Sequence, residues 1–137
     1  MANLTKDRTD DFLANSGREQ KSRIAAATKL FAGAIVGYNA GGFLVHADLA
    51  AASKPLTVVT QSGRDNDNTG ADGATRAWVA QKNGDTIFLI TSGAVSLANQ
   101  GDAIFATDSD TITPTPNTKP LGTLVDYATG VAWIMVI

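Results

Sequence analysis

The chain has 137 residues, of which 44% are hydrophobic, a formal net charge of -2 and no cysteine. That is the length of one domain with enough apolar residues for one core, and the missing cysteines exclude disulfides, thiolate metal sites and cysteine nucleophiles. A mildly acidic chain also lacks the net-basic surface that nucleic-acid binding requires.

The N-terminus, Met1 to Asp11, carries charges where a secretory signal needs an apolar stretch, so the product is expected to stay in the cell that makes it. The longest mostly apolar run, Leu30 to Tyr38, is broken by Gly33 and Gly37 and is about half of the ~20 residues that span a bilayer. Residues 1–29 hold ten of the 24 charged side chains. Within residues 1–23 the large apolar side chains after Met1 are only Leu4, Phe12 and Leu13. Such a segment buries too little surface to offset its ordering entropy, so residues 1–29 are expected to form an extended polar arm preceding a β-rich domain at 30–137. Ile24, Ala27 and Leu30 recur at helical spacing, so the segment Arg18 to Leu30 is compatible with one short helix capped by Asn15 or Ser16.

From Phe31 onward the pattern is of short strands punctuated by turns. Twelve Asp against the single Glu19, and thirteen Gly, suit turns rather than helix interiors. Ala34 to Tyr38 and Phe43 to Ala47 flank Asn39-Ala40-Gly41-Gly42 and predict a hairpin. Leu56 to Thr60 is a third strand candidate. Ser62 to Asp72 offers no residue of core type and is expected as a surface loop. Thr75 to Gln81 and Thr86 to Ile90 alternate around Trp78 and Phe88, with a hairpin signal at Lys82-Asn83-Gly84-Asp85 between them. Gly93 to Leu97, Ala103 to Thr107, Thr111 to Thr113, Leu121 to Asp126 and Val131 to Val136 complete about ten short strands, the spacing of a small β-barrel or sandwich. Pro114, Pro116 and Pro120 place Thr113 to Pro120 at an edge or in an exposed loop. The fold class is therefore all-β.

No set of residues here composes a catalytic site. His46 is the only histidine and is read as an ordinary surface or core residue. Asp65 to Gly70 starts like a calcium loop, but its fifth place is Thr69 and its twelfth, where a bidentate Glu belongs, is Arg76. Asp108-Ser109-Asp110 reads as a turn before Ile112. Neither glycine-rich phosphate signature occurs. Trp78, Trp133, Tyr38 and Phe43 sit in alternating runs and are expected in the core. No cofactor, metal or catalytic residue is assigned.

The order of motifs in the second half is informative: Gly84-Asp85, Thr91 to Val95, Gly101 to Asp108, Thr111 to Thr113, Lys119 to Val125 and Val131 to Val136. With Ala32 to Val45 as an opening hairpin, this series resembles phage capsid cement proteins over residues 24–137. The resemblance implies a small β-barrel-like body on the outside of an icosahedral head, commonly trimeric, reinforcing contacts of the major capsid protein, with no active site. The loop Ser62 to Asp72 and the charged arm depart from the simplest form of that pattern. The expected partners are the major capsid protein and sister subunits of a homotrimer, with neither nucleic acid nor membrane, and the expected location is the outer surface of a virion assembled in the host cytoplasm. On this reading the arm docks through Leu4, Phe12 and Leu13, with Arg8, Arg18, Lys21 and Arg23 pairing with acidic groups on neighbours. The alternative is a head-fibre or tail-associated module that recognises host glycans through Ser62 to Asp72 and exposed aromatics.

Overall fold

A computed structural model describes residues 4–5, 12–14, 19–48, 52, 54–81, 87–90, 94–128 and 130–136, with 12–14 described in backbone alone. Strands dominate these residues, and the only helical turns are the 3-10 segments Arg64–Asn66 and Leu97–Asn99. The all-β expectation holds.

Six strands form one antiparallel sheet in the order β1 (Phe12–Ala14), β9 (Ile87–Ile90), β13 (Val131–Val136), β12 (Pro120–Ala128), β10 (Ala103–Ala106) and β11 (Ile112–Thr113). Its inner face follows from period-two alternation: Phe88 and Ile90, Ile104 and Ala106, and Ala132, Ile134 and Val136 are all buried. Between Leu124 and Asp126 the β12–β13 register slips. Val125 is outward by alternation (36% exposed), and the bulge shifts the phase so that Asp126 is exposed as well and Tyr127 packs against the core. Gly122 is the one place in this sheet that demands glycine, because a Cβ there would overlap the Met135 carbonyl of the neighbouring strand.

The remaining strands form three small pairings: β4 (Ile35–Tyr38) with β5 (Leu44–His46) and β6 (Thr57–Val58), β2 (Glu19–Arg23) with β8 (Arg76–Ala80), and β3 (Thr28–Lys29) with β7 (Asp67–Asn68). Two isolated bridges join them. Val59 pairs with Val79, and Ile24 pairs with Leu44, so β5, β4, β6, β8 and β2 run in a ring. Inside it lie Ile24, Leu30, Val36, Leu44, Val59 and Val79. Neighbouring residues on the same strands, Ile35, Val58 and Ala80, face the other way and pack with Phe88, Ile104 and Ile134 of the six-stranded sheet. β4 and β6 are thus buried on both faces, and β8 is so only at its Val79–Ala80 end. The Ile35 backbone N–H donating to the Ser109 carbonyl (2.9 Å) adds a polar tie between the ring and the 107–111 turn.

Several expectations hold in detail. Asn39 Oδ1 accepts from the Gly41 and Phe43 N–H groups (3.0 Å each), closing the predicted hairpin. Asp108 Oδ1 accepts from Asp110 N–H (2.8 Å), the local turn bond expected there. The hairpin signal at Lys82 to Asp85 lies outside the described residues. Residues 94–96 form no strand, and Leu97 enters a 3-10 turn.

Two expectations are corrected. No helix forms over the described part of Arg18 to Leu30. Ser22 and Ile24 point inward while Lys21 and Arg23 are exposed, which is strand periodicity, and Ala27 breaks the run with φ 52°. The 29/30 boundary therefore does not separate an arm from the body over the described residues, since β2 and buried Ile24 are parts of the ring and β3 pairs with β7. Ser62 to Asp72 lies at the surface as expected, but two of its residues, Asn66 and Asn68, are buried and anchor it through polar contacts. Asn68, 1% exposed, donates its Nδ2 to the carbonyls of Ile24 (2.9 Å), Ala25 (3.0 Å) and Ala71 (2.9 Å). Its Oδ1 accepts from Gly70 N–H (2.9 Å). Two amide hydrogens serve three carbonyls, so one bond is shared.

Replacing Asn68 should therefore be costly for a loop residue. Asn68→Ala removes the side-chain donor of the Ala25 carbonyl, while the Ile24 and Ala71 carbonyls keep the Gly73 and Ala74 N–H groups, and is expected to lose about 1 to 3 kcal/mol in urea unfolding. Asn68→Asp, equal in size but without the amide hydrogens, should lose at least as much; a loss below about 1 kcal/mol for both would show that the side chain does not hold the loop.

Candidate functional site

The surface feature with the most chemistry is the outward face of β2 and β8. In β8, Ala77 and Val79 are small or branched apolar residues buried in the ring, so parity sends Arg76 and Trp78 outward. Trp78 is 37% exposed, which corrects its expected place in the core; Tyr38, Phe43 and Trp133 are half-buried. In β2, Ser22 is buried and hydrogen-bonds to the Tyr38 hydroxyl (2.8 Å), which leaves Lys21 and Arg23 on the same outward face as Trp78.

Register places Lys21 opposite Trp78 and Arg23 opposite Arg76. The Lys21 ammonium stands 5.3 Å from the indole centroid, an exposed cation-π contact of about 0.5–1 kcal/mol. Arg23 and Arg76 form a like-charge cross-strand pair, which is unfavourable by roughly 0.2–1 kcal/mol. Neither guanidinium has a carboxylate partner among the described residues. Glu19, at the far end of β2, accepts from Gln61 Nε2 (2.6 Å). Three cations and one aromatic ring are thus presented together with no described counter-ion.

A second concavity, a cleft of about 410 Å³, is lined by Lys29, Leu30, Phe31, Arg64, Asn66 and Asp67, among others. The Lys29 ammonium lies 5.4 Å from the Phe31 ring centroid. The Asn66 amide is turned away to the Gln61 carbonyl (2.9 Å).

The residues expected to dock are distributed as follows. Leu4 is half-buried, packs against the ring interior and donates its backbone N–H to Ser109 Oγ (2.9 Å). Phe12 and Leu13 belong to β1, which pairs with β9. Arg8 and Arg18 lie outside the described residues. Lys21 and Arg23 share the outward face with Arg76 and Trp78, two residues that the sequence reading did not single out as a site. The signal was present in Ala77 and Val79, whose inward positions fix the opposite direction for their neighbours.

His46 Nε2 hydrogen-bonds to the Lys29 carbonyl (2.9 Å), a structural contact across the turn region. Among the described residues no three His, Asp or Glu side chains are grouped closely enough to hold a metal ion. Comparison with protein-family models, curated proteins and solved structures finds no match for this chain.

The uncompensated arginine pair makes a measurable prediction. Arg76→Thr should raise unfolding stability by about 0.2–1 kcal/mol at low ionic strength. In ~1 M salt, where the screening length is about 3 Å, the gain should shrink towards the propensity difference alone. Arg76→Lys, which keeps the charge, should show no salt-dependent gain; if it matches Arg76→Thr at both ionic strengths, repulsion is not the cause.

Proposed function

We propose that this chain is a non-enzymatic structural protein that decorates and stabilises the outer surface of a phage capsid, binding major capsid protein and sister copies of itself as a homotrimer. The observation that carries the reading is the outward β2–β8 face, where Lys21, Arg23, Arg76 and Trp78 stand together without a described counter-ion. Exposed Trp and Arg side chains are the residue types that dominate protein-binding hot spots. The phage setting is supported by the ordered motifs that resemble cement proteins.

In this proposal Lys21 and Arg23 pair with acidic groups on neighbouring subunits, and Arg8, Phe12, Leu13 and Arg18 extend the docking segment. Leu4 seats its start on the body. Repetition of the face around a trimer makes modest contacts multivalent, which lengthens residence on a particle.

Host-glycan recognition is the second reading, and the Lys29–Phe31–Arg64 cleft is the observation in its favour. Its volume of about 410 Å³ is within the usual size for small-ligand sites, and Phe31 supplies a ring against which a sugar can stack.

The test is binding of the full chain to purified undecorated heads of the phage that encodes it. Saturable binding is expected, weakened by about tenfold or more in a Lys21→Glu/Arg23→Glu variant with an unchanged melting curve. Charge reversal is preferable to deleting residues 2–20, which would remove β1 and the start of β2. Failure to bind heads, together with a specific signal on a glycan array, would overturn the decoration reading in favour of the second.

A further inference from the structure

We infer that the outer face of the six-stranded sheet is the surface on which a second copy of this chain docks, with Leu89, Trp133, Met135 and Val125 at the contact. This deepens the docking reading above by naming the surface that joins sister copies, and it rests on that reading for the chain being an assembled protein.

Period-two alternation determines what the outer face carries. Phe88, Ile134 and Ile104 are spent on the core, so Leu89 of β9, Trp133 and Met135 of β13 and Phe105 of β10 point the other way. β12 adds Val125 and, through its bulge, Asp126. An antiparallel sheet that turns one face to water alternates apolar-in with polar-out. This sheet is apolar on both sides: Asp126 is the only charged residue in its six strands, whereas β2 and β8 together hold Glu19, Lys21, Arg23 and Arg76. Leu89, Trp133, Met135 and Phe105 are half-buried, which leaves part of each side chain open to contact, and Val125 is 36% exposed. Leu97, 56% exposed, stands beside β12 on a 3-10 turn tied to it by Gly101 N–H donating to the Leu124 carbonyl (2.8 Å). A continuous apolar surface of this kind marks an interaction site.

Two features select a second copy as the occupant. The first is charge. A face with a single carboxylate, at its hairpin end, brings no rows of like charge together when laid on itself, whereas the Lys21, Arg23 and Arg76 face repels its own copy. It also has no cations with which to hold an acidic partner or a nucleic acid. The second is relief. Cross-strand register places Ile87, Met135, Thr123 and Ala103 in one row that steps down from large side chains to small ones. The high β9–β13 side of one copy therefore has a low β12–β10 side on another to seat against, so the face is self-complementary in shape as well as polarity.

The experiment is sedimentation equilibrium of the full chain from about 1 to about 100 μM, without capsid. The average mass should rise above that of one chain. Val125→Lys/Met135→Lys, with an unchanged circular dichroism spectrum, should weaken association by about tenfold or more, while Lys21→Glu/Arg23→Glu should associate like the unaltered chain. Trp78→Phe leaves Trp133 as the only tryptophan and the sheet face intact. Iodide quenching of its fluorescence should fall as the chain associates, a readout that does not require the lysine variant to fold. Full association of the folded lysine variant, or Trp133 quenching that is the same before and after association, would overturn the assignment of this face while leaving sister-copy association in place. A chain that is monomeric at every concentration would overturn the inference as well, and so would a monomer whose Trp133 is shielded only by phosphatidylcholine vesicles. Head binding is measured separately through Lys21 and Arg23, so its failure is distinct from each of these results.

Discussion

Ile35 beside Val36, Val58 beside Val59 and Val79 beside Ala80 are adjacent residues buried on opposite faces of the same strands. Because successive strand side chains point to opposite faces, each pair commits its strand to two cores at once. Fully burying a Val or Ile side chain is worth about 1.5–3 kcal/mol, so slipping one of these strands by one residue would exchange its partners in both cores together. The ring and the six-stranded sheet are therefore held in register by shared strands, with the Ile35–Ser109 backbone bond as an additional tie.

The same constraint determines what the surface presents. With Val79 fixed in the ring interior and Ala80 against the six-stranded sheet, Trp78 has only the outward direction, and Arg76 follows it by parity. β2 then inherits its orientation from five residues of pairing with β8. Ser22 on its inner side is held by the Tyr38 hydroxyl. A mixed aromatic and cationic face thus sits on a rigid element rather than on a mobile tail, which lowers the ordering cost of binding.

Most strands were legible in the sequence because their alternation is strong, as in Val131 to Val136 and Thr75 to Gln81. Where the reading failed, a local pattern competed with information from distant residues. Ile24, Ala27 and Leu30 mimic a helical repeat, yet Ile24 ends a strand, Ala27 occupies a left-handed turn and Leu30 follows β3. Nothing local to residues 19–24 announces Arg76 to Ala80 as their partner. Ser62 to Asp72 lacks apolar residues and so reads as a surface loop with nothing to give a core, but an amide side chain also anchors a segment when it meets backbone carbonyls. Asn68 meets three of them, two contributed by residues more than forty positions away. The charges at Lys21 and Arg23 were visible from the start; their alignment with Arg76 and Trp78 depended on the pairing of β2 with β8.

Placing Arg23 against Arg76 costs stability that a neutral pair would not, and no described residue relieves it. On an outward face this arrangement has a compensating effect, because a neutral β2–β8 face around Trp78 could associate with its own copy or with any other exposed apolar surface. Like charges raise the energy of those pairings and lower that of a complementary one, so a small loss in the free protein is converted into a difference between partners. The indole beside Lys21 adds apolar contact area that does not depend on charge and therefore persists when salt screens the cations. On the proposed docking role, selectivity and retention would come from different side chains of one face: the cations would discriminate during encounter, and Trp78, backed by Val79 in the ring, would supply contact once a partner is seated.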